Sequence, residues 1–269
     1  MEYKILERDD PKYPQKLIAR LNQDAPERIY YWGPLELLDE FTMGIFSADS
    51  ITGLGLMEAN QLLFTVREYD VNYIGSCFSV METEIFRLGL WRSNQDVTLF
   101  SSKGLAKESF ESFLKTRFHP PFHEFPERDE YFRRAAENEL LMLSIVDPDT
   151  GKMMHKNIIE RNYIACIMSD VVFFPFAKKG TKTLTLAKRL VSMDVPLFTT
   201  DCEENRDLHE LGIIGLNRQN VGEFLEKLGA KLSDPNKERP KRIDSPPHPP
   251  EQETCPKPPP MSQMNLWQN

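Results

Sequence analysis

The densest chemistry in the chain is Lys178-Lys179-Gly180-Thr181-Lys182-Thr183, where three ammonium groups and two hydroxyls flank a glycine. Such a turn at the start of a helix aims backbone amides at one point, and the lysines beside them favour a bound anion. The same residues also fit a solvated lysine-rich turn in which Thr181 is an ordinary helix cap. Arg161-Asn162 comes next. On a helix carrying Ile159, Tyr163 and Ile167, Arg161 falls off the apolar stripe, placed either to meet a ligand or to pair with an acid such as Asp170. His119, His123 and His155 have no carboxylate or cysteine at a familiar ligand spacing, so no metal is expected. Ser76 follows Gly75 but lacks a Gly-x-Ser-x-Gly context, which tells against a hydrolase. Cys77, Cys166, Cys202 and Cys255 are scattered without paired spacing and read as reduced thiols, two of them buried in apolar segments. No cofactor is indicated.

The elements that must hold these residues follow from periodicity. From about residue 43 to 230, short apolar runs alternate with longer amphipathic stretches, the pattern of a doubly wound, mostly parallel α/β sheet. Strands are predicted at Met43–Phe46, Val71–Ile74, Val97–Phe100, Leu140–Val146, Val171–Phe176 and Val195–Thr199. The run Val171-Val172-Phe173-Phe174 is apolar at successive positions, as a central strand covered on both faces must be. Helices are predicted over Gly53–Tyr69, Ser79–Arg92, Arg128–Asn138, Met154–Met168, Thr181–Met193 and Val221–Leu228. A parallel sheet offers its crevice at the carboxyl ends of the strands, where helix N-termini gather. Three loops fall there: Ser47–Gly55 with Ala48 and Asp49, Gly75–Met81 with Ser76, and Ala177–Thr183. Tyr163 and Phe176 read first as core residues, with stacking on a ligand as the alternative.

Residues 1–42 read as a small helical cap, 43–232 as the main domain and 233–269 as a disordered tail, since half of the 20 prolines lie in the last 36 residues. Met261–Trp267 within that tail would suit a docking peptide. Ser102–Glu127, which includes His119-Pro120-Pro121-Phe122-His123, shows little periodicity and reads as a surface excursion or a pocket lid. A formal charge of −8 excludes a surface that is basic throughout and confines any anion site to a local pocket. There is no apolar run of roughly 18 residues and no basic-then-apolar leader, so a cytoplasmic protein without membrane contact is expected.

Asp10-Pro11-Lys12-Tyr13-Pro14, Leu17, Asp24-Ala25-Pro26 and Tyr30-Tyr31-Trp32-Gly33 together resemble the opening of the DNA-processing protein A (DprA/Smf) family. Met43-Gly44-Ile45-Phe46-Ser47-Ala48-Asp49 is similar to that family's first strand and Gly-Ser-Arg turn, with Gly55 at the glycine that opens the next helix. Ile74-Gly75-Ser76-Cys77-Phe78-Ser79-Val80-Met81-Glu82 falls at its Ser-Gly-Leu-Ala-x-Gly-x-Asp loop, Glu82 standing at the aspartate. Arg161-Asn162-Tyr163-Ile164-Ala165-Cys166-Ile167-Met168-Ser169 looks like its Arg-Asn-Arg-Ile-Ile-Ala-x-Leu-Ser segment, and Lys179-Gly180-Thr181-Lys182-Thr183 takes the place of its Ser-Gly-Ser/Thr turn. The likeness runs over about residues 8–230, strong in order and weaker in letters. Asp49 replaces the turn arginine, and the short tail has no counterpart of the family's winged-helix domain.

What the resemblance implies is a Rossmann-like DprA/Smf-type fold and a non-catalytic protein that grips single-stranded DNA, or a nucleotide-like anion, at Arg161, Asn162 and Lys178–Thr183. It further implies a role in DNA processing beside a recombinase, and leaves a homodimer open. Two other readings stand beside it. One is a phosphoribohydrolase-like enzyme, against which Thr185 and Leu186 occupy the place of the needed acid. The other is a scaffold whose pocket has decayed and whose ligands are proteins.

Overall fold

The computed structural model describes residues 2–91, 95–117 and 127–234. Residues 235–269 of the tail expected to be disordered, Cys255 and Met261–Trp267 among them, and the histidines His119 and His123 lie outside the described residues. The chain forms a nine-stranded mixed sheet. Its parallel part begins centrally with β3 (Thr42–Ile45), steps outward through β4 (Val71–Gly75), β5 (Gln95–Phe100) and β6 (Leu141–Ser144), and then returns past β3 to β7 (Val171–Phe174), β8 (Leu197–Thr200) and β9 (Ile214–Leu216). β3 therefore lies between β4 and β7, and the direction of winding reverses at the β3/β7 boundary.

Alternation along each strand divides the core. Val172 and Phe174 face one layer with α6 (His155–Met168) and α7 (Lys182–Leu190), while Val171 and Phe173 face the other with α2 (Gly53–Val66) and α9 (Val221–Lys227). A strand buried on both faces needs apolar side chains at every position, which is why this run has no polar residue. Between α7 and β9 the chain adds one short helix, α8 (Arg206–His209).

Residues 1–42, expected as a helical cap, hold one seven-residue helix, α1 (Gln15–Leu21), and two strands that enlarge the sheet. β1 (Lys4–Glu7) runs antiparallel to β2 (Arg28–Trp32), which runs antiparallel to β6. Both strands are short, and β1 buries Leu6 alone, so alternation left too faint a trace to read. The helix is tied to the C-terminal end of α6: Arg20 donates to the carbonyls of Ile167 and Ser169 (2.6 Å each), and Lys16 pairs with Asp170 at 2.6 Å. Asp170 also accepts from the Thr42 amide at 2.8 Å, so the acid weighed as a partner for Arg161 is committed elsewhere.

The segment after β5 differs from expectation as well. Its described part carries α4 (Phe110–Arg117), and beyond it α5 (Arg128–Ala136) follows. Phe110, Phe113 and Leu114, spaced i, i+3, i+4, are buried with Phe86, Leu90 and Tyr131 over α3 (Val80–Trp91). This part of Ser102–Glu127 is a core layer rather than a surface excursion, because that spacing is a helical stripe.

Candidate functional site

At the carboxyl edge of the sheet, where the winding reverses, lies a cavity of about 400 Å³. It is built from the residues after β3 (Phe46–Ser50), the turn after β4 (Ser76, Phe78, Ser79), Glu82 of α3, Ile158, Arg161 and Asn162 of α6, and Thr181–Thr183 with Leu186 at the start of α7. Such a crevice is the place where open α/β sheets hold ligands, because helix N-termini and strand ends converge there.

Of the residues expected at the site, Ser47, Ala48, Asp49, Ser76, Glu82, Arg161, Asn162, Thr181, Lys182 and Thr183 line this one cavity. Lys178, Lys179 and Gly180 lie exposed beside it, outside the lining. Gly55 lies in the first turn of α2, where its amide donates to Thr52 Oγ1 at 3.1 Å, and Gly75 ends β4. Both glycines stand outside the lining; a side chain at Gly75 would press on the Ile45 carbonyl. Tyr163 and Phe176, named above as stacking candidates, are buried in the fold and are not stacking surfaces.

The α7 turn is organised by two devices. Gly180 takes φ +89°, a conformation that favours glycine, and Thr181 Oγ1 accepts from the Leu184 amide at 3.2 Å. With Leu184 satisfied, the amides of Lys182 and Thr183 stand at the first two helical positions without an intrahelical acceptor, at the positive end of the helix. The Lys179 amide is engaged by Asp207. Among the described residues, no ion pair involves the side chains of Lys178, Lys179 or Lys182.

The β3/β4 corner carries the opposite arrangement. The Glu82 carboxylate, 7% exposed, accepts from the Ser47 amide (3.0 Å) through Oε1, and from Ser76 Oγ (2.7 Å) and the Phe78 amide (2.9 Å) through Oε2. An acid in the first turn of α3 is favoured by the dipole, and its own amide donates to Ser79 Oγ at 3.2 Å. The spacing Ser79-x-x-Glu82 is that of a capping box, the one sequence signal for this arrangement, yet the carboxylate reaches across to β3 instead of closing the box. The amides at the ends of β3 and β4 therefore already hold an anion belonging to the protein. Burial first, and then the nearby Glu82 charge, raise the Cys166 thiol well above its ordinary range, so this cysteine stays protonated and inert.

Arg161 is 1% exposed, beneath the cavity, and its Nη1 donates to the Phe100 carbonyl at 2.8 Å, which joins α6 to the end of β5. Exchanging it for methionine is expected to lower stability by about 1–3 kcal/mol in urea unfolding, since a buried carbonyl loses a charged donor. Beside it, the buried Asn162 Oδ1 has no hydrogen-bond partner among the described residues. The residue that sequence reasoning missed is Phe78, which is 44% exposed yet lines the cavity and whose backbone amide donates to Glu82.

No family model matches the chain, and no curated protein matches it. Among solved structures, the fold resembles DNA processing protein A (DprA) from Streptococcus pneumoniae, with a TM-score of 0.64 at 17% identity, covering 82% of this chain and 74% of that one. It also resembles DNA processing protein A from Helicobacter pylori, with a TM-score of 0.60 at 20% identity, covering 84% of this chain and 97% of that one. The structure of that second protein addresses its mode of binding single-stranded DNA. The α/β fold of this chain is thus DprA-like.

Proposed function

We propose, from the fold shared with DNA processing protein A, that the crevice binds single-stranded DNA. In this reading the amides of Lys182 and Thr183 and the three lysines take the backbone phosphates, and Phe78 stacks on a base. The observation that carries it is the union, at one cavity, of a helix start with two amides lacking intrahelical acceptors, Lys182 outside any described ion pair with Lys178 and Lys179 beside it, and an exposed aromatic ring. Phosphate contacts give affinity without sequence preference, and stacking adds to it on any base. A protein of net charge −8 then binds through a local field rather than a basic surface.

The test is fluorescence anisotropy of a labelled oligo-dT over a range of salt. Three lysine–phosphate contacts give a slope of log affinity against log salt of about −2. Exchanging Phe78 for alanine is expected to weaken binding about fivefold or more while leaving the melting temperature near that of the parent, because the ring is exposed and its amide bond is retained. Binding that is absent at 25 mM salt, or that ignores salt, would refute the reading. Thr185 and Leu186 bear on the phosphoribohydrolase alternative: the Thr185 hydroxyl donates to the Thr181 carbonyl and Leu186 lines the cavity, so the carboxylates in the lining are Asp49 and Glu82.

A further inference from the structure

The cavity contains two acceptors whose capacity is not used up. A carboxylate offers about four lone-pair positions. Glu82 Oε2 receives two donors, whereas Oε1 receives the Ser47 amide alone, which leaves one position on Oε1 among the described residues. Asn162 Oδ1, buried in the same lining, receives none from any described residue. The walls around them are largely apolar, with Phe46, Ala48, Ile158 and Leu186. A group that enters this space and brings no N–H leaves buried acceptors unpaired, which is costly, and one that brings a carbonyl oxygen sets it against a carboxylate.

We propose that Glu82 makes the crevice read the amino edge of a base, with Asn162 as the second acceptor, so that cytosine, adenine and guanine are preferred over thymine. The inference rests on the reading of the crevice as a site for single-stranded DNA and adds to it a preference among bases. Cytosine N4 carries two N–H donors and suits a pair of acceptors; glutamate accepting from cytosine N4 is a known form of base readout. Thymine offers a single N–H flanked by two carbonyls. The Glu82 charge that excludes a phosphate from the β3/β4 corner is the same charge that attracts an amine. The phosphates are thereby directed to the start of α7 and the base to the floor.

The experiment uses the full chain without substitution. Affinities are measured by anisotropy for labelled oligo-dC and oligo-dT of one length, at pH 7.5 and equal salt. A third oligonucleotide of that length replaces cytosine with 2-pyrimidinone, which lacks the amine and otherwise keeps the ring. Oligo-dC is expected to bind tighter than both by on the order of five- to a hundredfold. Equal affinity for the three, or tighter binding of oligo-dT, overturns the base preference and leaves the DNA-binding reading standing. Absence of binding to any of them at 25 mM salt overturns both.

Discussion

Reversing Lys179 and Lys182 together to glutamate is expected to weaken oligo-dT binding about a hundredfold at low salt, with the fold unharmed. Each exchange moves the local charge by two units next to the proposed phosphate path. Fully hydrated, a unit charge about 4 Å from a phosphate is worth on the order of 1 kcal/mol, and side-chain freedom reduces the sum over four units to about 2–3 kcal/mol, which is about a hundredfold. Neither side chain makes an ion pair with a described residue, and both are exposed. An acid at position 182 lies in the first turn of α7, where the dipole favours it, so the melting temperature is expected to hold or to rise slightly. The difference from the parent narrows as salt is raised, since ions screen exposed charges. Unchanged affinity in this double variant would remove the lysines from the site.

Exchanging Glu82 for alanine has the second large effect, and it falls on stability. Three donors, the Ser47 and Phe78 amides and the Ser76 hydroxyl, lose their acceptor at once. Hydrogen bonds to a buried charge are the strong ones, and water entering the cavity replaces part of what is lost. The expected cost is about 2–4 kcal/mol, read in urea unfolding or as a fall in Tm on the order of 5–15 °C. Glutamine keeps the size but replaces one oxygen by an NH2 group, which sets N–H against either the Ser47 amide or the Phe78 amide, so it is expected to recover less than half of the loss. Formate or phosphate at millimolar concentration is expected to raise the Tm of the alanine variant more than that of the parent, because a ligand that binds the folded state alone stabilises it. A variant as stable as the parent would show that the carboxylate is a passenger at this corner.

Both predictions concern one crevice, divided between its two sides. At the start of α7 the backbone donors stand without intrahelical acceptors, and at the ends of β3 and β4 they are satisfied from within. Under the proposed reading, the internal carboxylate fixes where phosphates cannot go and the lysines mark where they can, which is how an acidic chain would accept a polyanion.

Much of this was legible from the chain. The buried run Val171–Phe174, the helix stripe of Leu184, Ala187 and Leu190, and the glycine–threonine turn at 180–181 each report on local structure, since a two-faced strand, an amphipathic helix and a cap are set by neighbours in sequence. Short edge strands are not set that way. β1 and β2 exist because β6 offers an open edge, and Lys4–Glu7 buries a single side chain there. The fate of the polar residues at the crevice was likewise decided by contacts between distant segments. Arg161 faces Phe100 across 61 positions, Asp170 answers Lys16 across 154, and Glu82 serves Ser47 across 35. Residue types and spacing thus determined which groups stand at the carboxyl edge of the sheet. Tertiary structure alone decided which of their hydrogen-bonding positions were taken by the protein, because a long polar side chain in a crevice is claimed by the nearest complementary group in space, whatever its distance along the chain.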